Sequence, residues 1–188
     1  MLLSEHKDLK AEIKSLPEKE KDKLLLRLIA KDKVLTEHLH FKLLENEQDL
    51  VDRQEQLIQA IDEGVESLVR GRKANAKDTL LMMRKLNGSI NHHFKVTKDL
   101  GTELELRIHL LNSLPIQLNE GVFTAAYKFQ EKLMVYFVKT TVTLLNKYQK
   151  LHEDLRFDMQ DAMNDLLRKI YQHKTASVAR ELGLPENL

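Results

Sequence analysis

The stretch NEQDLVDRQEQLIQAIDEGVESLVR, residues 46–70, places Leu50, Gln54, Leu57, Ile61, Val65 and Leu68 at steps of three, four or seven. Side chains at those steps lie one above another on a helix that turns every 3.6 residues. Acids and glutamines occupy the opposite face, so the segment reads as an amphipathic helix with one buried stripe. Such spacing recurs along most of the chain and leaves no convincing strand.

The same steps link Leu35, Leu39 and Leu43, then Leu80, Met83, Leu86, Ile90 and Phe94, then Leu155, Met159, Met163, Leu166 and Ile170. Only six glycines and three prolines interrupt 188 residues. Sheet proteins need many tight turns, so this scarcity favours long helices. Hydrophobic residues make up 42% and charged residues 31%, enough apolar material for a packed core. The expected fold is all-α, with about seven helices. Two arrangements fit: a compact helical bundle, or a short α-solenoid-like stack of antiparallel helix pairs. No exact repeat is visible at the usual solenoid periods of roughly 34 to 47 residues, which weighs against the stack. The length suits a single domain over 1–188, with 1–70 and 72–188 as possible sub-units around Gly71.

Helix boundaries follow from local chemistry. Ser15 and Glu18 have the spacing of a capping box, with Pro17 in the first turn. Asp32 caps a further helix if the chain breaks at Lys31-Asp32; one long helix is the other reading. Gly71 ends the helix over 46–70, and Asn75 or Asp78 starts the next. Gly101-Thr102 marks another restart. Six of the ten aromatics fall between Phe123 and Tyr148, so the segment around them is expected to be the central helix of the core. A last helix follows Glu153-Asp154 and ends at Gly183 and Pro185. The segment KDKLLLRLIAKDKVLTEHLHFKLLE, residues 21–45, resembles one hairpin of a HEAT-type repeat, and the whole chain is similar to uncharacterised all-helical bacterial proteins. That resemblance implies an α-helical fold and no activity.

Several chemistries are excluded or lack their residues. There is no cysteine, which removes disulfides, thiolate catalysis and Cys-based zinc sites. The start MLLSEHKDLK lacks the pattern of a signal peptide. The most apolar window, 133–145, contains Lys139 and is shorter than the about 20 residues a membrane span needs. A cytoplasmic protein with no membrane partner is therefore expected. Glu37 and His40 have the Glu-x-x-His spacing of di-iron bundles, but no second such motif accompanies them. Glu105 and His109 lie four apart, and Asp158, Asp161 and Asp165 line one stripe; both are expected to be solvated surface. No G-x-S-x-G elbow or phosphate loop occurs. No catalytic residue, metal ligand or cofactor is assigned, and the chain is not expected to be an enzyme.

Charge is the remaining signal. The net charge is +1, yet residues 70–100 hold eight cations against two acids, +6, while residues 1–69 hold 11 against 16, −5. Residues 101–188 balance. Arg70, Arg72, Lys73, Lys77 and Arg84 are the candidate partner- or phosphate-binding residues. The expected function is a non-catalytic helical interaction or scaffold module, binding a protein partner or a second copy. The alternative is a nucleic-acid-binding helical-repeat protein whose segment 70–100 neutralises phosphates. Phe94 is the only aromatic in that segment, and its spacing places it in the core, so no stacking platform is expected.

Overall fold

A computed structural model describes residues 3–70, 75–116 and 125–188, with side chains from Lys128 onward in the last segment. Every regular element among these residues is helical. The chain divides into two compact units, Met1–Glu45 and Asn46–Leu188.

The first unit contains a single 3-10 turn, Leu3–Glu5, followed by α1 (Lys7–Ser15), α2 (Glu18–Ile29) and α3 (Lys33–Leu44). The expected capping box at Ser15 does not form. The Ser15 hydroxyl donates back to the Glu12 carbonyl at 2.8 Å, finishing α1 instead of starting α2. Pro17 occupies the N-cap of α2, and its carbonyl receives the amides of Glu20 and Lys21. At Lys31-Asp32 the chain does break. Asp32 Oδ1 accepts the Leu35 amide at 3.1 Å, and the Thr36 hydroxyl bridges the carbonyls of Ile29 and Asp32.

The second unit contains α4 (Glu47–Arg70), α5 (Ala76–Thr97), α6 (Leu100–Ser113), α7 (Ala125–Tyr148), α8 (Glu153–Tyr171) and α9 (Thr175–Glu181). Nine α-helices are thus present among the described residues, against about seven expected. One addition comes from the Asp32 break. Another comes from the end of the chain, where α9 separates from α8 and the Thr175 hydroxyl donates to the Ile170 carbonyl at 2.6 Å. Caps explain the starts. Asn46 Oδ1 accepts the Gln48 amide, while Asp49 Oδ2 accepts the Asn46 amide, a reciprocal pair. Asn75, rather than Asp78, caps α5. Lys98 closes α5 in the left-handed conformation at φ 59°, and Asp99 then caps α6 through the Thr102 amide at 2.7 Å.

Side-chain pairs give the helix directions. Gly64 of α4 faces Met82 and Leu86 of α5, and His93 of α5 meets Thr102 of α6, while Arg107 reaches back to Asn87. Helices α4, α5 and α6 therefore alternate up and down, and the pairs Lys77–Phe129, Arg84–Tyr136 and Phe94–Lys147 show that α5 runs parallel to α7. Helix α6 packs on α4, α5, α7 and α8. A repeat stack confines contact to neighbouring repeats; here one short helix touches four others. Leu104, Leu106, Ile108, Leu110 and Leu111 of α6 are all buried, so this helix holds the centre that the aromatic-rich segment was expected to hold. Helix α7 supplies Leu133, Phe137, Val138 and Leu144 to the same core, and α8 supplies Met163, Leu166 and Ile170.

One lysine finishes α6. Lys169 of α8 donates to the carbonyls of Leu111, Asn112 and Leu114 at 2.9, 2.7 and 2.6 Å, satisfying acceptors that a helix end leaves open. Burial lowers its pKa from 10.5 to about 8. The folded chain therefore binds fewer protons than the unfolded chain between these values, and this group's contribution to stability rises with pH across that window. Lys169→Met should remove that slope from the urea stability measured between pH 8 and 10, and should lower stability at pH 7.

Two helical glycines differ in their surroundings. A methyl at Gly64 would meet Met82 Sδ at 3.1 Å, whereas nothing lies within 4 Å of one at Gly88. Gly88→Ala should raise stability by about 1 kcal/mol, as for an open helix-interior glycine. Gly64→Ala should gain less, because Met82 must move. Thermal denaturation of the two variants checks the order.

Candidate functional site

Of the expected basic cluster, Arg70, Lys77 and Arg84 lie among the described residues. Arg70 is exposed at the end of α4 and pairs with Glu66 one turn earlier. Arg72 and Lys73 lie outside the described residues. Lys77 Nζ stands 5.9 Å from the centre of the Phe129 ring, and Arg84 Cζ stands 5.4 Å from that of Tyr136. Both cations are exposed. They are seven residues apart on α5, and their aromatic partners are seven apart on the parallel α7. Each such contact is worth about 0.5–1 kcal/mol at an exposed site. Lys85 follows Arg84 by one residue, roughly 100° around the helix, and faces α4 instead. The cations of α5 are therefore shared between two sides.

Phe94, expected in the core, is only half-buried; its neighbour His93 is the buried residue. The reason is local. His93 Nε2 bonds the Thr102 hydroxyl at 3.0 Å, and the Phe94 ring lies under the Lys147 ammonium at 4.8 Å.

That ammonium belongs to a buried ionic cluster. Glu103 of α6 is fully buried. Its Oε1 accepts from Arg107 Nε at 3.0 Å and Nη2 at 2.8 Å, and Lys147 Nζ of α7 donates to Oε1 and Oε2 at 2.6 and 2.7 Å. Arg107 also donates to Asn87 and Asn91 of α5, and Asn87 donates to the Tyr136 hydroxyl at 3.3 Å. The cluster ties three helices together with its donors engaged inside the fold, so it acts as a brace. Its sequence signal is Glu103 and Arg107 four apart on a helix otherwise rich in leucine.

Among the described residues, the histidine and acid motifs do not gather into one site. His40 Nδ1 lies 2.8 Å from Glu45 Oε1. His109 pairs with Asp62 at 2.7 Å and Glu105 accepts from Gln54 at 2.5 Å, linking α4 to α6. Asp158, Asp161 and Asp165 are exposed, and Asp165 holds Arg168 at 2.7 Å. Among the described residues, no three His, Asp or Glu side chains converge as a metal site would need.

Two concavities flank α4. One, of about 750 Å³, is acidic: Glu55, Asp62, Glu63 and Glu66 surround Ile58 and Val65. The other, of about 500 Å³, lies between α4 and α5 and is basic. Arg53 and Leu57 of α4 form one wall. Lys85, Ser89, His92 and His93 of α5 face them, with Gly88 and Val96 completing the lining. The His93 pKa is lowered, first by burial and then by Arg53, so its imidazole is neutral at pH 7. Spacing alone missed this pocket, because Arg53 and Lys85 come from different helices. No described helix is long and apolar enough to cross a membrane.

No protein-family model, no curated protein and no solved structure matches the chain.

Arg107→Met leaves the Glu103 carboxylate buried with one cation fewer and should cost about 3–5 kcal/mol. Replacing Glu103, Arg107 and Lys147 together by Leu, Leu and Met should cost less than that single change. Chemical denaturation of the two variants checks this.

Proposed function

We propose that the chain is a non-catalytic helical interaction module, and that the unit Met1–Glu45 docks against the same unit of a second copy. The observation that carries this reading is the exposure of its leucines. No described residue of that unit is buried. Leu24, Leu25, Leu26 and Leu28 of α2 are exposed, as are Leu43 and Leu44 at the end of α3, the last two at 71% and 73%. Nine of the sixteen large hydrophobic side chains exposed among the described residues belong to this unit.

Burying a leucine is worth about 1.5–3 kcal/mol, and an ordered chain must offset about 1–2 kcal/mol per residue of backbone entropy. A three-helix unit with no buried side chain among its described residues has little to offset it. Covering those leucines supplies the missing burial. Charge favours a copy of the chain as the cover. Residues 1–45 hold ten cations and nine acids, interleaved as in EKEKDK over 18–23. Such a surface neither repels its own copy nor attracts a polyanion, and a two-fold contact makes it self-complementary. A cytoplasmic location belongs to the same proposal.

The nucleic-acid reading has less support. Lys77 and Arg84 lean on the aromatics of α7, and Lys85 faces α4, so these three cations do not share one side of α5. DNA retention at low salt is expected to be weak.

Sedimentation equilibrium tests the module. The full chain should self-associate, and the paired substitution Leu25→Glu with Leu28→Glu should shift it to monomer while leaving the main thermal transition in place. A chain that stays monomeric at the highest concentration reached, or association that ignores the paired substitution, overturns the proposal.

A further inference from the structure

The basic pocket between α4 and α5 has no part in the docking surface. Its lining contains an arginine, a lysine, two histidines, one hydroxyl and no acid. That is unusual in a chain with 30 cations and 29 acids. It is more unusual on α4, where seven acids accompany two arginines. One of those arginines closes the end of the helix, and the other, Arg53, is turned into the pocket. On α5, Lys85, Gly88, Ser89, His92 and Val96 follow at steps of one, three or four, so one stripe faces it.

Gly88 is the second observation. A glycine in a helix interior costs about 1 kcal/mol against alanine. Close packing repays that at Gly64, where Met82 comes within 3.1 Å of the added carbon. Gly88 has no such neighbour. What its missing side chain provides is room in the pocket. Leu57 and Val96 add an apolar wall beside that space. The volume of about 500 Å³ falls within the roughly 300–1,000 Å³ of small-molecule sites.

We propose that this pocket binds a small organic phosphate. Its phosphate is held by Arg53, Lys85 and the Ser89 hydroxyl, with His92 beside them, and its apolar body lies over Gly88 against Leu57 and Val96. A phosphate matches this set better than a carboxylate, because its several acceptor oxygens use a guanidinium, an ammonium and a hydroxyl at once. The acids nearest His93 are Asp99 and Glu103, which raise its proton affinity against the effects of burial, Arg53 and His92. Glu103 is matched by Arg107 and Lys147, and neither acid lines the pocket.

Amide chemical shifts of the full chain, followed during titration with phenyl phosphate, benzyl alcohol and inorganic phosphate, test the site. Phenyl phosphate should give saturable shifts at residues 85–96. Benzyl alcohol should give none, and inorganic phosphate should bind at least tenfold more weakly than phenyl phosphate. Arg53→Gln and Lys85→Gln should each weaken phenyl phosphate about tenfold. Gly88→Leu, which fills the space while keeping the helix, should abolish binding. Absence of saturable shifts with phenyl phosphate, equal binding of inorganic phosphate, or binding unchanged in Arg53→Gln or Gly88→Leu overturns the proposal. Each readout is independent of self-association.

Discussion

The carboxylate of Glu103 is the constraint around which the larger unit is arranged. A charge removed from water needs nearby opposite charge and hydrogen bonds, or it shifts to its neutral form. Glu103 obtains both from Arg107 on its own helix and Lys147 on α7. Arg107 in turn commits its remaining donors to Asn87 and Asn91 on α5. Apolar packing is non-directional and tolerates sliding; this set of bonds does not. It fixes the register of α5, α6 and α7. Lys77 over Phe129 and Arg84 over Tyr136 then fall into place at matching steps of seven.

The same arrangement divides the cations of α5 between two sides. Helix α5 carries Lys77, Arg84, Lys85 and Lys95 against one acid, Asp78. Two of those cations lie over aromatic rings, and a third, Lys85, lines the pocket with Arg53. The acidity of the N-terminal third is also localised. It belongs to α4, whereas residues 1–45 are almost balanced and interleaved in sign. Summing charge along the sequence merged two regions of different character, one acidic and one nearly balanced in sign.

Helical periodicity made the class and most helices legible. Leu57, Ile61, Val65 and Leu68 pack as their spacing requires, and Asn75 caps where its type and position suggest. Leu104, Leu106, Ile108, Leu110 and Leu111 surround α6, and all are buried. Where reading along the chain went astray, two outcomes had similar local chemistry. Ser15 had a carbonyl three residues behind it as well as amides ahead, and the carbonyl won. Phe94 and His93 competed for one inward position, and the histidine had Thr102 to bond. The pocket was not legible at all, because it depends on which residues of α4 lie across from Gly88.

Lys169 has a consequence for how the larger unit assembles. Its ammonium closes the end of α6 from 55 to 58 residues further along the chain. During synthesis, α6 is complete long before its closing group exists. Until α8 arrives, the last carbonyls of the most buried helix must remain wet. The centre of the bundle therefore cannot become dry in the order in which it is made, and α8 acts as the keystone that seals it.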